Sequence, residues 1–340
     1  MPGTITLGDK TYPFDEEIFA EHWLDEPDLV TNAMLTSGAL AEDAYIGSLI
    51  STGSNVYTIP FYGLLPDDAD DNYDGQNDIT LTTMGASHQT GVVYGRMHGF
   101  YADQFVQDFT TAHPMAAIAA RTAKYWQNKA HARIIGITDA VLSLSAMSDH
   151  VVTVDELTPN TLSEATQKVF GANKGQIRLA IMHSAVAQVF ENMQRVDYLK
   201  HTDANGVTRE LDVYQVNGIT VIIDDGVPAT AASGDDKAKY TTYLFAEGAL
   251  RHASAPVTMP VELGRDPKTR GGVDELYMRF RETYHPNGFS FALPTTGTGA
   301  NKKPVVSPTD EQLGTAANWS LAYGDHKAIP FMKLVSPGVA

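Results

Sequence analysis

Closely spaced carboxylates and amides that close on a glycine form the pattern a calcium ion needs, because calcium takes roughly six to eight oxygen ligands from one short loop. Asp70, Asn72, Asp74 and Gly75 fit D-x-[DN]-x-[DN]-G inside the run LLPDDADDNYDGQND, which also carries Asp67, Asp68, Asp71 and Asp78. The twelfth position is Leu81, where such a loop needs a bidentate glutamate, and the flanks read as strands. A self-repelling, solvated loop tip is therefore the expectation, with ion binding by the acidic loop Asp67 to Asp78 left open. Asp224-Asp225 resembles a carboxylate pair for acid/base work, but it ends a strand before Gly226 and Pro228 and reads as a turn. His183-Ser184 lies where a strand meets a helix, yet no G-x-S-x-G surrounds it, so Ser184 reads as a helix N-cap. The eleven histidines form no HExxH, and the nearest pair of interest, His88 and His98, are ten apart. Gly297-Thr298-Gly299 before Lys302-Lys303 fits no phosphate-binding loop. No catalytic, cofactor or metal site is expected, and no enzyme.

The whole composition supports that reading. The chain has 340 residues, with 24 Lys plus Arg against 41 Asp plus Glu, a formal net charge of −17. Nucleic-acid binders grip phosphate with clustered cations, so the balance speaks against one, and equally against an anionic-membrane binder. Apolar residues at 43% and charged residues at 19% are ordinary globular values. The absence of cysteine removes thiolate chemistry, disulfides and Cys-ligated zinc. The first residues lack a basic start followed by an apolar stretch, and no run approaches the roughly 20 apolar residues of a span. A soluble chain made and kept in a cytoplasm is expected, with no membrane partner.

The elements that must position these residues are of mixed type. Residues 1–48 read as an acidic arm with one or two helices, Ile18, Phe19 and Trp23 sharing a helical face. Val56 to Phe61, closed by Gly63, and Ile79 to Thr83 read as two strands joined by the acidic stretch into an extended hairpin-like loop. From His113-Pro114 the pattern predicts a helix of roughly 30 residues, about 45 Å long, with Gly136 as its weak point. Arg121, Lys124, Lys129 and Arg133 share one broad side of it. Thr161 to Glu164 has the capping-box form ahead of a helix stopped by Gly171. Ile177 to Met182 reads as a buried strand and Ala185 to Val196 as a helix. Glu210 to Val216 and Ile219 to Asp224 flank Asn217-Gly218 as a tight hairpin. Further strands are expected at Tyr240 to Ala246, Val257 to Leu263 and Glu275 to Tyr284, a loop at Thr295 to Thr315, and one or two last strands in Asn318 to Val335. Helices and strands without regular βαβ alternation give an α+β class.

Four segments in register resemble the major capsid proteins of tailed bacteriophages, the Hong Kong 97-type fold. They are IRLAIMHSAVAQVFENMQRVDYL, VYQVNGITVIIDDGVP, TTYLFAEGAL and GRDPKTRGGVDELYMRFRETYHPNGFSF, over roughly residues 160–291. The upstream order of arm, extended loop and long helix extends the resemblance over nearly the whole chain. It implies an N-terminal arm at 1–49 that crosses to a neighbour, and an extended loop and its base at 50–97 that reaches over an adjacent subunit. It implies a peripheral domain with its spine helix at 98–150 and an axial domain at 151–256. Residues 257–293 then return to the peripheral domain, and 294–340 form a C-terminal segment that rejoins the axial domain.

The function implied is self-assembly as pentamers and hexamers into the icosahedral shell of a virion, put together in the bacterial host cytoplasm. The shell encloses double-stranded DNA without sequence-specific binding and expands as DNA enters. With the extended loop starting within about 55 residues of Met1, a separate scaffolding protein is expected as partner, besides a portal protein, with decoration proteins an open addition. Some family members crosslink through a lysine in the extended loop; this chain has no lysine between Lys10 and Lys124, so that route is absent. The basic residues of the spine are candidates to pair with acidic arms of neighbours, a solvated helix face being the alternative. Three other readings stand beside this one: an encapsulin-type nanocompartment shell enclosing an enzyme, an acidic metal-dependent hydrolase built on Asp224, Asp225 and scattered histidines, and a calcium-dependent binding module built on Asp70 to Asp78.

Overall fold

A computed structural model describes the chain apart from residues 1–2, 8–9, 15–33, 52, 64, 66–70, 73–77, 106–113, 194–195, 203–207, 217, 232–236, 297–301 and 339–340. In order, its elements are β1 (Gly3–Leu7), β2 (Lys10–Phe14), β3 (Leu40–Glu42), α1 (Ala44–Ser51), β4 (Val56–Tyr62), β5 (Ala86–Val92), β6 (Tyr94–Asp103) and α2 (Pro114–Leu142). A 3-10 turn, Ser145–His150, leads to β7 (Val151–Thr153), α3 (Thr161–Phe170), β8 (Ile177–Met182) and α4 (Ser184–Asn192). The strands β9 (Val196–Thr202), β10 (Thr208–Val216), β11 (Ile219–Ile223), β12 (Ala229–Thr230), β13 (Lys239–Ala246) and β14 (Leu250–Ala255) follow. Next come β15 (Val261–Asp266), β16 (Val273–Pro286), β17 (Phe289–Phe291), β18 (Thr295–Thr296) and β19 (Lys303–Pro304). The chain closes with α5 (Asp310–Leu313), β20 (Trp319–Leu321), a 3-10 turn at His326–Ala328 and β21 (Phe331–Pro337).

Two sheets carry the molecule. The larger runs β7-β21-β13-β8-β11-β10-β9, with β12 on the outer part of β13. Its strands alternate between two cores because successive side chains of a strand point to opposite faces. Leu179, Ile181, Tyr243, Phe245 and Phe331 face the C-terminal half of α2, packing with Ile134, Ile137 and Val141. Ala180, Met182, Leu244, Met332 and Leu334 face the other way, onto Leu162 and Val169 of α3 and Val186 and Phe190 of α4. Full burial of each large side chain is worth about 1.5–3 kcal/mol, so this two-faced alternation fixes the register of the sheet.

The second sheet is built around the long strand β16. On one edge it pairs with β15 over Val273 to Met278 and with β14 over Arg281 to Pro286; on the other it pairs with β6. The short strand β3 adds in parallel to β14. Val261, Leu276 and Met278 face Ile118 and Trp126 in the N-terminal half of α2, so one helix spans both sheets.

Several expectations met a different geometry. The extended loop is a hairpin, but β4 pairs with β5, Tyr57 opposite Gly91, and Ile79 to Thr83 forms no strand. Ile79 and Leu81 are 77% and 89% exposed, so their apolar, Thr-rich pattern has no sheet face to bury. In the arm, Gly3–Leu7 and Lys10–Phe14 pair as an antiparallel hairpin, while the stretch with Ile18, Phe19 and Trp23 lies outside the described residues. The strand expected at Val257 to Leu263 lies across a break: β14 ends at Ala255 and β15 starts at Val261, the turn between them being set by Pro256 and Pro260. Within the expected C-terminal loop, β18 and β19 pair and α5 forms. Thr161 caps nothing; it is the first helical residue, and its hydroxyl accepts from the Thr158 amide at 2.7 Å. A capping box forms instead at α5, from Thr309 and Gln312. The expected long helix forms as α2 and passes Gly136 without interruption. Strands β8, β10, β11, β13 and β16 also formed where the sequence placed them.

Candidate functional site

Two side-chain networks tie the outlying parts of the chain to its sheets, and both leave apolar surface open beyond them. The first lies at the base of the extended hairpin. Gln89 of β5 is 1% exposed. Its Oε1 accepts from the Gly288 amide at 3.0 Å and lies 3.2 Å from His285 Nε2, while its Nε2 donates to Tyr323 Oη at 3.1 Å and Asn287 Oδ1 at 3.3 Å. Tyr323 Oη in turn donates to Asn287 Oδ1 at 3.0 Å. The HPNGF segment is thus a socket for the hairpin. Gly288 has φ +92°, and a Cβ there would lie 2.3 Å from Ile329 Cδ1 and 2.8 Å from Tyr323 Cδ2. Burial, and secondarily the charge of Arg251, push the His285 imidazole down to about 3, so the ring is neutral at ordinary pH.

One turn along the hairpin, Tyr57 lies flat across Gly91, where a Cβ would sit 2.2 Å from its Cζ. Thr283 Oγ1 donates to the Val92 carbonyl at 2.8 Å, so the Tyr57 hydroxyl 2.9 Å away is the donor to Thr283. Burial raises the Tyr57 hydroxyl above its usual range.

The second network joins α2, β16 and α5. Arg133 is 4% exposed. Its Nη1 meets Glu282 Oε1 at 2.6 Å and its Nε meets Asp310 Oδ1 at 2.8 Å, while Arg96 Nη2 reaches the same oxygen at 2.6 Å. The Tyr94 ring packs against both guanidiniums, its centroid 4.7 Å from that of Arg96 and 5.0 Å from that of Arg133. Burial alone would raise the Asp310 carboxyl, but the hydrogen bonds from Arg133 and Arg96 and their charges together hold it below its ordinary range. Arg133 is therefore not part of a basic outer side of the helix, which corrects the expectation that it pairs with a neighbour's arm. Its partners lie within the chain. Arg121, Lys124 and Lys129 remain exposed. Arg121 rims an apolar cavity of about 270 Å³ lined also by Phe100, Ile118, Thr122 and Tyr125.

The residues weighed for chemistry do not converge. Asp224 Oδ1 accepts from the Gly226 amide at 2.8 Å, the turn geometry expected of it. Asp225 accepts from the Ser184 amide at 3.0 Å, and hydrogen bonds to Ser184 hold its carboxyl below the usual range, where it carries no proton to donate. The helix N-cap is His183 and not Ser184: its Nδ1 accepts from the Ala185 amide at 3.0 Å. His88 pairs with Pro60 in the hairpin, and His98 stacks on Tyr125 at 5.1 Å, so they share no site. Asp70, Asp74 and Gly75 of the calcium-like pattern, and Gly297 to Gly299, lie outside the described residues. Among the described residues no group of three metal-ligating side chains gathers.

No single-residue pattern pointed to Gln89, Asp310 or the burial of Arg133. The one signal was HPNGF, whose Asn-Gly marks a tight turn but not what the turn holds.

What the arrangement does is mechanical: it fixes a projecting hairpin and a two-sheet body. The sequence is 25% identical over 303 residues to the major capsid protein of Bacillus phage SPP1, spanning 87% of this chain and 88% of that one. The structure is similar to the capsid of Ralstonia phage GP4, with a TM-score of 0.54 at 8% identity over 89% of this chain and 88% of that one. It is similar also to a chain of Mycobacterium phage Bobi, with a TM-score of 0.50 at 12% identity over 90% of each. No protein-family model matches the chain. The fold is the Hong Kong 97-type capsid fold. Over most of its length the chain is similar in sequence to a phage major capsid protein.

Proposed function

We propose that the chain self-assembles as pentamers and hexamers into the icosahedral shell of a tailed phage, in the cytoplasm of a bacterial host, and encloses double-stranded DNA. The carrying observation is the hairpin of β4 and β5. It is held at its base by the buried Gln89, yet beyond that base Tyr62, Leu65, Ile79 and Leu81 are 75%, 70%, 77% and 89% exposed. Surface of that kind on a clamped projection needs a cover, and a second copy of this chain is the occupant that the similarity to a whole major capsid protein supports. Burial of each such side chain contributes about 1.5–3 kcal/mol before ordering costs. Repetition over a closed shell turns modest contacts into a stable container.

The segment roles follow as part of the same proposal. Residues 1–49 act as arm, 50–97 as extended loop with its base, 98–150 as peripheral domain with α2 as spine, 151–256 as axial domain, 257–293 as the peripheral return and 294–340 as the axial closing segment. A separate scaffolding protein, a portal protein and decoration proteins are the partner classes. Shells carry no loop crosslink, and their subunits are expected to run as monomers in denaturing gels; a covalent ladder would contradict this.

The experiment is electron microscopy with the hairpin altered. Ile79→Ser/Leu81→Ser is expected to abolish closed particles while thermal unfolding of the subunit stays unchanged. Closed particles formed at wild-type yield by that variant would remove the hairpin from the assembly mechanism.

A further inference from the structure

Two imidazoles meet where α2 hands the chain to the larger sheet. His150 ends the 3-10 turn after α2, directly before β7, and His326 opens the turn that leads to β21. These strands are parallel neighbours, Val151 opposite Lys333, which brings both rings to one end of the sheet. Their centroids lie 5.5 Å apart with planes at 85°. His150 is wholly buried, its Nδ1 2.8 Å from the Phe331 carbonyl oxygen. A carbonyl only accepts, so Nδ1 carries the hydrogen and Nε2 the lone pair. That Nε2 is buried with no hydrogen-bond partner among the described residues, and so is His326 Nδ1.

The surroundings offer little to a second proton. The Phe170 ring stands edge-on to His150 at 5.6 Å. Asp149 Oδ2 lies 3.5 Å from His326 Nε2 and is itself well exposed. Asp325 is turned to the Lys327 amide at 2.9 Å, and Lys333 of β21 to Asp139 at 2.9 Å.

We propose that the His150–His326 pair is an acid-sensitive latch on the seam between α2 and the larger sheet, closed while His150 is neutral and released when Nε2 takes a proton. The added proton makes a buried cation beside a second imidazole, and neutral packing no longer fits it. Burial is the main cause holding the His150 pKa below 6.5, and a charge on His326 adds to it; the Phe331 and His326 backbone groups and Asp149 oppose it. The opened seam, with an ordinary imidazole near 6.5, binds the proton more readily. Acidification below about 6.5 therefore favours opening, and the latch is fully engaged above that value. His285 acts in the same direction, but at the hairpin base, so the two are separable by where the chain opens.

The test is hydrogen exchange on the purified full-length chain near neutrality and near pH 5, corrected for intrinsic exchange. Peptides covering residues 145–153 and 326–335 are expected to gain in opening on acidification, while peptides of β8 and β11 in the same sheet do not. His150→Asn keeps a donor for the Phe331 carbonyl and cannot titrate, so it is expected to lose that gain. An equal gain in His150→Asn, or none in the wild type, overturns the proposal. Should that variant fail to fold, imidazole nitrogen NMR of the wild type decides: protonation of His150 at or above 6.5 also overturns it. The latch belongs to a single chain, so this outcome is independent of whether shells form.

Discussion

Arg133 shows how far one side chain's environment departs from its place in a pattern. Its spacing puts it with three exposed cations, but Ala130 and Ile134 beside it pack into the core and draw it inward, where Glu282 and Asp310 meet it. Removing one partner of a buried pair leaves the other uncompensated, so Arg133→Met is expected to cost about 3 kcal/mol in urea unfolding. Arg121→Ala, at an exposed position, is expected to change stability by no more than about 0.5 kcal/mol. Gly288→Ala adds both a disfavoured φ and a clash with Ile329 and Tyr323, for an expected loss of about 2–4 kcal/mol. His285 gives a pH signature. Its folded value is about 3 against about 6.5 unfolded, so the unfolded chain binds the extra proton between those limits. Stability is thus full above 6.5 and falls as pH drops toward 3. His285→Gln keeps a donor for Gln89 and is expected to flatten the dependence of Tm on pH in that window; an unchanged slope would count against it.

Elements were legible where one local pattern decided them. The long helix and the strands of the larger sheet announce themselves through proline placement, alanine content, Asn217-Gly218 and apolar runs that two buried faces require. The hairpin was legible as an element but not in its register. Tyr57 needs a residue without a side chain opposite it, and Gly91 supplies that; nothing in Ile79 to Thr83 does. A sequence shows the apolar run and not the cross-strand partner, which is why the second strand was misplaced. The networks of Gln89 and Arg133 were illegible for the same reason, since their partners lie roughly 150 to 230 residues away or further. Gly91→Ala is expected to force the Tyr57 ring off the strand and raise hydrogen exchange in β4 and β5 selectively, leaving β8 and β13 protected. Uniform loss of protection would show instead that the hairpin is not a separate unit.

For the whole molecule, the excess of 17 negative charges first argues against gripping nucleic acid and, in a shell, suits a wall that DNA slides past. A broadly basic inner surface in an assembled particle would contradict that. Arg121, which rims an apolar cavity, and the exposed Lys124 and Lys129 are the cations of α2 that the proposal leaves to meet acidic segments of a neighbour. Arg121→Glu with Lys124→Glu is expected to lower particle yield while leaving subunit unfolding unchanged. The central claim is that copies of this chain cover one another through the clamped hairpin. Electron microscopy of the wild-type protein and of Ile79→Ser/Leu81→Ser, each purified alone and with a candidate scaffolding protein co-expressed, tests it most directly. The account predicts closed, uniform shells that protect double-stranded DNA once packaged, with dispersed, folded subunits for the variant; a wild-type chain that stays monomeric, or a variant that builds the same shells, would contradict it.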